Sequence, residues 1–155
     1  MHDASSDSLT LEDLHIGQTF VSESHLLSAE QIKAFAREFD PQPFHLEEEA
    51  AKDSFFEGLA ASGWHTASLS MRMLVASLPI KGGLIGAGGE ISWTRSTRPG
   101  DELHLETEIT EIKPSRSRPE RGTVTIRSVT KNQNAETVQI LVSRIVVPRR
   151  TKSEA

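Results

Sequence analysis

The period of apolar positions changes along this 155-residue chain, and each change predicts a new element. Gln18 to Leu27 has strand character around Phe20 and Val21. Ser28-Ala29-Glu30-Gln31 then reads as a capping box, with a serine hydroxyl at the N-cap and a glutamine reaching back from N3. Ile32, Phe35, Ala36 and Phe39 follow at helical spacing, which predicts a helix to about Phe39 that stops at Pro41. Leu46 to Lys52 reads as a second short helix, rich in glutamate near its start, where the helix dipole favours acids. Ser62-Gly63 opens the longest helical pattern. Ala67, Met71, Leu74, Val75 and Leu78 fall on one face and Pro79 ends the run, so this is the expected central, buried helix.

After Pro79 the period becomes two. Leu103, Leu105, Thr107 and Ile109 alternate with His104, Glu106, Glu108 and Thr110, the pattern of a half-buried strand. Gly88 to Thr97, Thr123 to Lys131 and Thr137 to Val147 are further expected strands. In the last of them the apolar phase slips between Val142 and Ile145, which predicts a bulge there. Short turns such as Arg98-Pro99-Gly100-Asp101 join the strands. A strand, then helices, then four antiparallel strands define an α+β class in which a sheet wraps one helix.

The length fits one domain, placed at residues 9–148, with polar segments at 1–8 and 149–155 read as disordered tails. An apolar fraction of 36% is modest and favours burying more surface against a second copy, a homodimer. A net charge of −5 argues against nucleic acid as the main partner. The absence of cysteine excludes disulfides and thiolate metal sites and fits the cytoplasm. The first residues, MHDASSDSLT, have neither the basic region nor the apolar run of a signal peptide. No apolar stretch approaches the roughly 20 residues of a membrane helix, so no membrane partner is expected.

The segment Phe39-Asp40-Pro41-Gln42-Pro43-Phe44-His45 changes this picture. It sets a carboxylate and an imidazole five residues apart on a segment that two prolines are expected to keep out of helix, pushing Asp40 and Gln42 extended. Two readings follow: a solvated turn at a helix end, or an acid–base pair held for proton transfer. Ser62-Gly63-Trp64-His65 has a similar pair of readings. Ser62 is an N-cap, and the free N–H groups behind it either close the helix or hold an oxyanion, with Gly63 allowing close approach. No metal is expected, because the six histidines show no ligand spacing such as HExxH. KGGLIGAGG, residues 81–89, lacks phosphate-loop spacing and reads as a flexible turn before a strand. Lys113 to Gly122 is a basic hairpin loop, either solvated or in contact with an anionic ligand's phosphates.

Four segments in order resemble the MaoC-like dehydratase family, which includes the (R)-specific enoyl-CoA hydratases. Asp40-Pro41-Gln42-Pro43-Phe44-His45, followed by Ala50 or Ala51, matches the family's hydratase signature. Phe56-Glu57-Gly58-Leu59-Ala60-Ala61-Ser62-Gly63-Trp64-His65 resembles the start of its central helix. Trp93-Thr94-Arg95-Ser96-Thr97-Arg98-Pro99-Gly100-Asp101 resembles its tryptophan-to-RPGD strand and turn. Ser115 to Gly122 resembles a stretch of its single-domain members. The likeness spans about Leu11 to Val147.

The resemblance implies a hot-dog fold, an antiparallel sheet wrapped round a long helix, with sites near the interface of a homodimer. It implies hydration of a 2-enoyl thioester of coenzyme A, or dehydration of the 3-hydroxyacyl thioester, with no cofactor beyond the coenzyme A of the substrate. It assigns catalysis to Asp40 and His45, with the Gly63 N–H on the thioester oxygen, and substrate contact to Ser62 and Trp64. Gln42 stands where the hydratase motif commonly carries asparagine, and Ser62 where many hydratases carry histidine. Trp64 is bulkier than the residue often found there and is expected to shape the acyl pocket. Two rival readings remain: a hot-dog acyl-CoA thioesterase, and a non-catalytic acyl-CoA-binding module.

Overall fold

The structure is a computed structural model that describes residues 8–150. Residues 1–7 and 151–155, the greater part of the two expected tails, lie outside the described residues. Ser8, Arg149 and Arg150 are described. The two arginines are held against the body, because Arg149 Nε binds Glu12 at 3.3 Å and Arg150 binds Asp13 at 2.6 Å.

The strand expected at Gln18–Leu27 is two short strands, β1 (Thr19–Val21) and β2 (His25–Leu26). Both pair antiparallel with the later strand β4 (Glu102–Pro114), at Glu106–Glu108 and at Glu102–Leu103, and the chain jogs between them. Helix α1 (Ala29–Phe39) starts at the predicted capping box, with Gln31 N–H donating to Ser28 Oγ at 3.1 Å and Ser28 N–H donating to Gln31 Oε1 at 3.1 Å. Two short helices follow, α2 (Pro43–Leu46) and α3 (Glu48–Lys52), where one was expected. The two prolines were expected to keep this segment out of helix, with Asp40 and Gln42 extended. Gln42 is extended, but Pro43 occupies the first helical position, where its missing N–H costs nothing, and it starts a turn that carries His45.

Helix α4 (Gly63–Ser77) begins at the expected serine N-cap. Its buried face differs from the expected one: Thr66, Leu69, Ser70, Met73 and Leu74 are buried, whereas Met71 and Val75 are exposed. The buried stripe is part hydroxyl. Ser70 Oγ donates to the Thr66 carbonyl at 2.7 Å and meets Thr130 Oγ1 at 2.7 Å, so these side chains are satisfied inside and do not register in a count of apolar residues.

The remaining strands are β3 (Ile85–Trp93), β4 (Glu102–Pro114), β5 (Arg121–Lys131) and β6 (Thr137–Pro148). The sheet order is β1-β4-β5-β6-β3, with β2 also on β4, and every pairing in it is antiparallel. The predicted alternation in β4 holds: Leu103, Leu105, Thr107 and Ile109 are all buried. The three apolar ones meet Val124 and Ile126 of β5 and Leu69, Met73 and Leu74 of α4 in one apolar core. The slip in β6 lies earlier than expected. Thr130 pairs with Gln139 and Lys131 with Thr137, so Val138 is the extra residue. The glycine-rich run is also not all turn. Gly86, Gly88 and Gly89 are inside β3, and a Cβ on Gly89 would stand 2.4 Å from the Val142 carbonyl oxygen, closer than a side chain tolerates. The basic hairpin at Ser115–Glu120 lies at the far end of β4 from the Arg98–Asp101 turn.

Candidate functional site

The two short-range rules that shape residues 39–45 bring the expected pair together. Asp40 caps α1, its N–H donating to the Ala36 carbonyl at 2.9 Å. Gln42 is extended before Pro43, as proline requires. The single turn of α2 then turns His45 back towards Asp40, so that His45 Nε2 stands 3.3 Å from Asp40 Oδ2. His45 is 4% exposed, edge-on to Phe44 at 4.6 Å between ring centroids.

His45 Nδ1 lies 2.7 Å from the Ala60 carbonyl oxygen. A carbonyl only accepts, so Nδ1 carries a proton and donates it. Nε2 is the nitrogen that faces the Asp40 carboxylate.

Asp40 is braced on both sides. The Gln42 amide donates to Oδ1 at 2.6 Å, and the Ser62 hydroxyl also donates to the carboxylate. Burial pushes this carboxyl up, but the Ser62 and Gln42 bonds and the charge on His45 together outweigh it. The net result is a carboxyl below its ordinary 3.8, ionised at neutral pH.

Ser62 was expected to touch substrate. Instead it is fully buried, and its oxygen also accepts the Trp64 N–H at 3.2 Å. One hydroxyl thus ties the start of α4 to Asp40. The Gly63 N–H, one residue on, has no acceptor among the described residues. Gly63 must lack a side chain, because a Cβ there would sit 2.6 Å from the Trp93 ring. Trp64 is exposed and meets Trp93 edge to face at 5.1 Å.

His45 and Gly63 line one cavity of about 440 Å³, together with Phe56, Thr66, Trp93 and Thr97. A cleft of about 470 Å³ between the β1–β2 jog and α4 contains none of the expected site residues. Among the described residues, no group of three or more His, Asp or Glu side chains is placed to hold a metal ion.

Two participants were missed in the sequence. Gln139 is fully buried in β6 and accepts the Trp93 indole N–H at 3.0 Å, fixing the ring over Gly63. A glutamine inside the apolar run Val138–Val142 was the available signal. Arg98 is the other; its guanidinium grips the carbonyls of Phe56, Gly58 and Leu59. Its targets are backbone atoms, so no residue type announced them.

An antiparallel sheet packs on a capped helix, with a carboxylate and an imidazole together beside the helix start. Comparison with known proteins gives the family. Residues 13–132 match the model of the MaoC like domain, so the chain belongs to the MaoC-like family. It is 34% identical over 128 residues to the uncharacterized protein YdeM of Bacillus subtilis (strain 168), covering 81% of this chain and 89% of that one. It is similar in structure to the MaoC-like dehydratase from Rhodospirillum rubrum, with TM-score 0.91, 59% identity and coverage of 93% and 99%. It is also similar to the (R)-hydratase from A. caviae involved in PHA biosynthesis, with TM-score 0.70, 27% identity and coverage of 90% and 99%. The expected hot-dog fold is therefore shown. The two structural relatives are a dehydratase and a hydratase by name, which supports a hydro-lyase family.

Proposed function

We propose that this protein adds water to a 2-enoyl-CoA, or removes it from a 3-hydroxyacyl-CoA. The observation that carries this is the braced pair, Asp40 Oδ2 at 3.3 Å from His45 Nε2, beside a cavity that also contains an unpartnered helix N–H at Gly63. In the hydration direction the pair binds one water. Its O–H bond breaks towards the pair as its oxygen bonds to Cβ. The electron pair of the C=C bond moves through Cα onto the thioester oxygen, where the Gly63 N–H meets the developing charge. A proton returns from the pair to Cα and the carbonyl re-forms. The step is redox-neutral, so water and thioester balance it with no further cofactor.

The same reading includes a second copy of this chain. Among the described residues strand β3 is a nine-residue sheet edge paired on one side only, and its Trp93 meets the exposed Trp64 of α4. Such an edge pairs readily with another strand. A dimer through it would cover the open side of Trp93. Light scattering should give twice the chain mass, and a monomer at working concentration would remove this part of the reading.

The experiment for the reaction is incubation with a panel of 2-enoyl-CoA and 3-hydroxyacyl-CoA thioesters, followed by product mass. Gain or loss of one water is expected. Release of free coenzyme A would make it a thioesterase, and tight binding with no mass change a binding module.

A further inference from the structure

We infer that Arg98 is a positioning residue for His45, acting through the loop between α3 and α4. This rests on the reading of His45 as half of the acid–base pair. The chain from Ser54 to Ser62 has no regular secondary structure, so nothing in a helix or strand sets the direction of its carbonyls. Arg98 supplies that direction. Its Nη1 donates to the carbonyls of Gly58 at 2.9 Å and Leu59 at 3.2 Å, and its Nη2 donates to that of Phe56. Among the described residues it has no acidic partner, so its charge is met by these three dipoles. With the carbonyls at 56, 58 and 59 turned to one cation, the next one, Ala60, is free to face His45 Nδ1 at 2.7 Å.

The loop is stitched at its far end too. Ala60 N–H donates to the Phe44 carbonyl at 3.1 Å, and Ala61 N–H donates to the Thr97 carbonyl at 2.9 Å, one residue before Arg98. Arg98 itself is anchored by its own turn. Its N–H donates to Asp101 Oδ2 at 2.8 Å, and Asp101 N–H closes the turn on the Arg98 carbonyl at 3.1 Å. The guanidinium thus transmits a rigid turn into the tautomer of a ring it does not touch. Lysine has the charge but not the fork, and one ammonium cannot hold three carbonyls in this geometry.

The test is Arg98→Lys and Arg98→Ala, each with ¹⁵N-labelled histidine, assigned by comparison with His45→Gln. In the wild type the His45 Nδ1 signal should be that of a protonated, hydrogen-bonded nitrogen. In both variants it should shift towards the mixed tautomers of a free imidazole. With an enoyl-CoA substrate kcat should fall on the order of 10²-fold with KM nearly unchanged, the cost of a misplaced group. Ethylguanidinium added to Arg98→Ala should restore part of both. A His45 signal unchanged in either variant overturns the proposal. If neither variant folds, Asp101→Asn is used, and the same signal must shift, to a smaller extent; no shift overturns it. The nitrogen signal needs no turnover. A wild type that shows the tautomer but hydrates nothing would therefore overturn the reaction and leave the clamp in place.

Discussion

Strands β4 to β6 and the segment from Asp40 to Gly63 differ in how they are held. The strands are specified by repetition. Leu103, Leu105 and Ile109 alternate inward and share one core with Val124 and Ile126 of the neighbouring strand, along a ladder whose register shifts once, after Ile109. The segment is specified by single contacts: one serine, one glutamine, one carbonyl and one arginine each fix one group. Damage to the first region should therefore appear as lost stability, and damage to the second as lost chemistry.

The sharpest break of that comparison is His45→Gln. Removing one acid–base partner should lower the enoyl-CoA hydration rate by about 10²–10⁴-fold. The melting temperature should change little, which calorimetry would check. The opposite case is Ile126→Ala, at a fully buried β5 position. It should cost about 2–5 kcal/mol of unfolding free energy in urea titration while kcat per folded molecule stays near wild type. Gly63→Ala stands between the regions, since its Cβ would land 2.6 Å from the Trp93 ring. Overpacking of this kind costs about 1–3 kcal/mol. A shift in tryptophan fluorescence should accompany it, together with a partial loss of rate.

The smallest effect is a pH dependence. His65 stacks on Phe35 at 4.7 Å, and burial first, then the charge on His25, holds it below its ordinary 6.5. The folded chain thus takes up this proton less readily than the unfolded one. The stability it contributes is present above 6.5 and is lost as pH falls through the lowered value. His65→Phe should make the fall in melting temperature on acidification shallower between 6.5 and the lowered value. An unchanged slope would show that the group does not contribute.

The same contrast explains what the sequence disclosed. Period two in β4 and the capping box at Ser28 are local and were legible. The α4 face was misread because Thr66 and Ser70 lie inside by hydrogen-bonding to Thr97 and Thr130. Those partners are 31 and 60 residues away, beyond any local pattern. The Asp40–His45 pair was legible as spacing, but its geometry was not. Pro43 was read as a helix breaker, yet it begins the turn that brings His45 round. The bulge was placed late because the phase of β6 changes at Val138, where the apolar run conceals it. The Ala60 carbonyl and the guanidinium behind it left no trace, since backbone acceptors have no letter of their own.

The central claim is that Asp40 and His45 act as one device on one water. A double-mutant cycle of Asp40→Asn, His45→Gln and the double variant, read as kcat for crotonyl-CoA hydration, tests it most directly. Residues that work as a unit are strongly non-additive. The double variant should therefore be no slower than the slower single variant. Losses that multiply, or near-normal turnover in either single variant, would contradict the account.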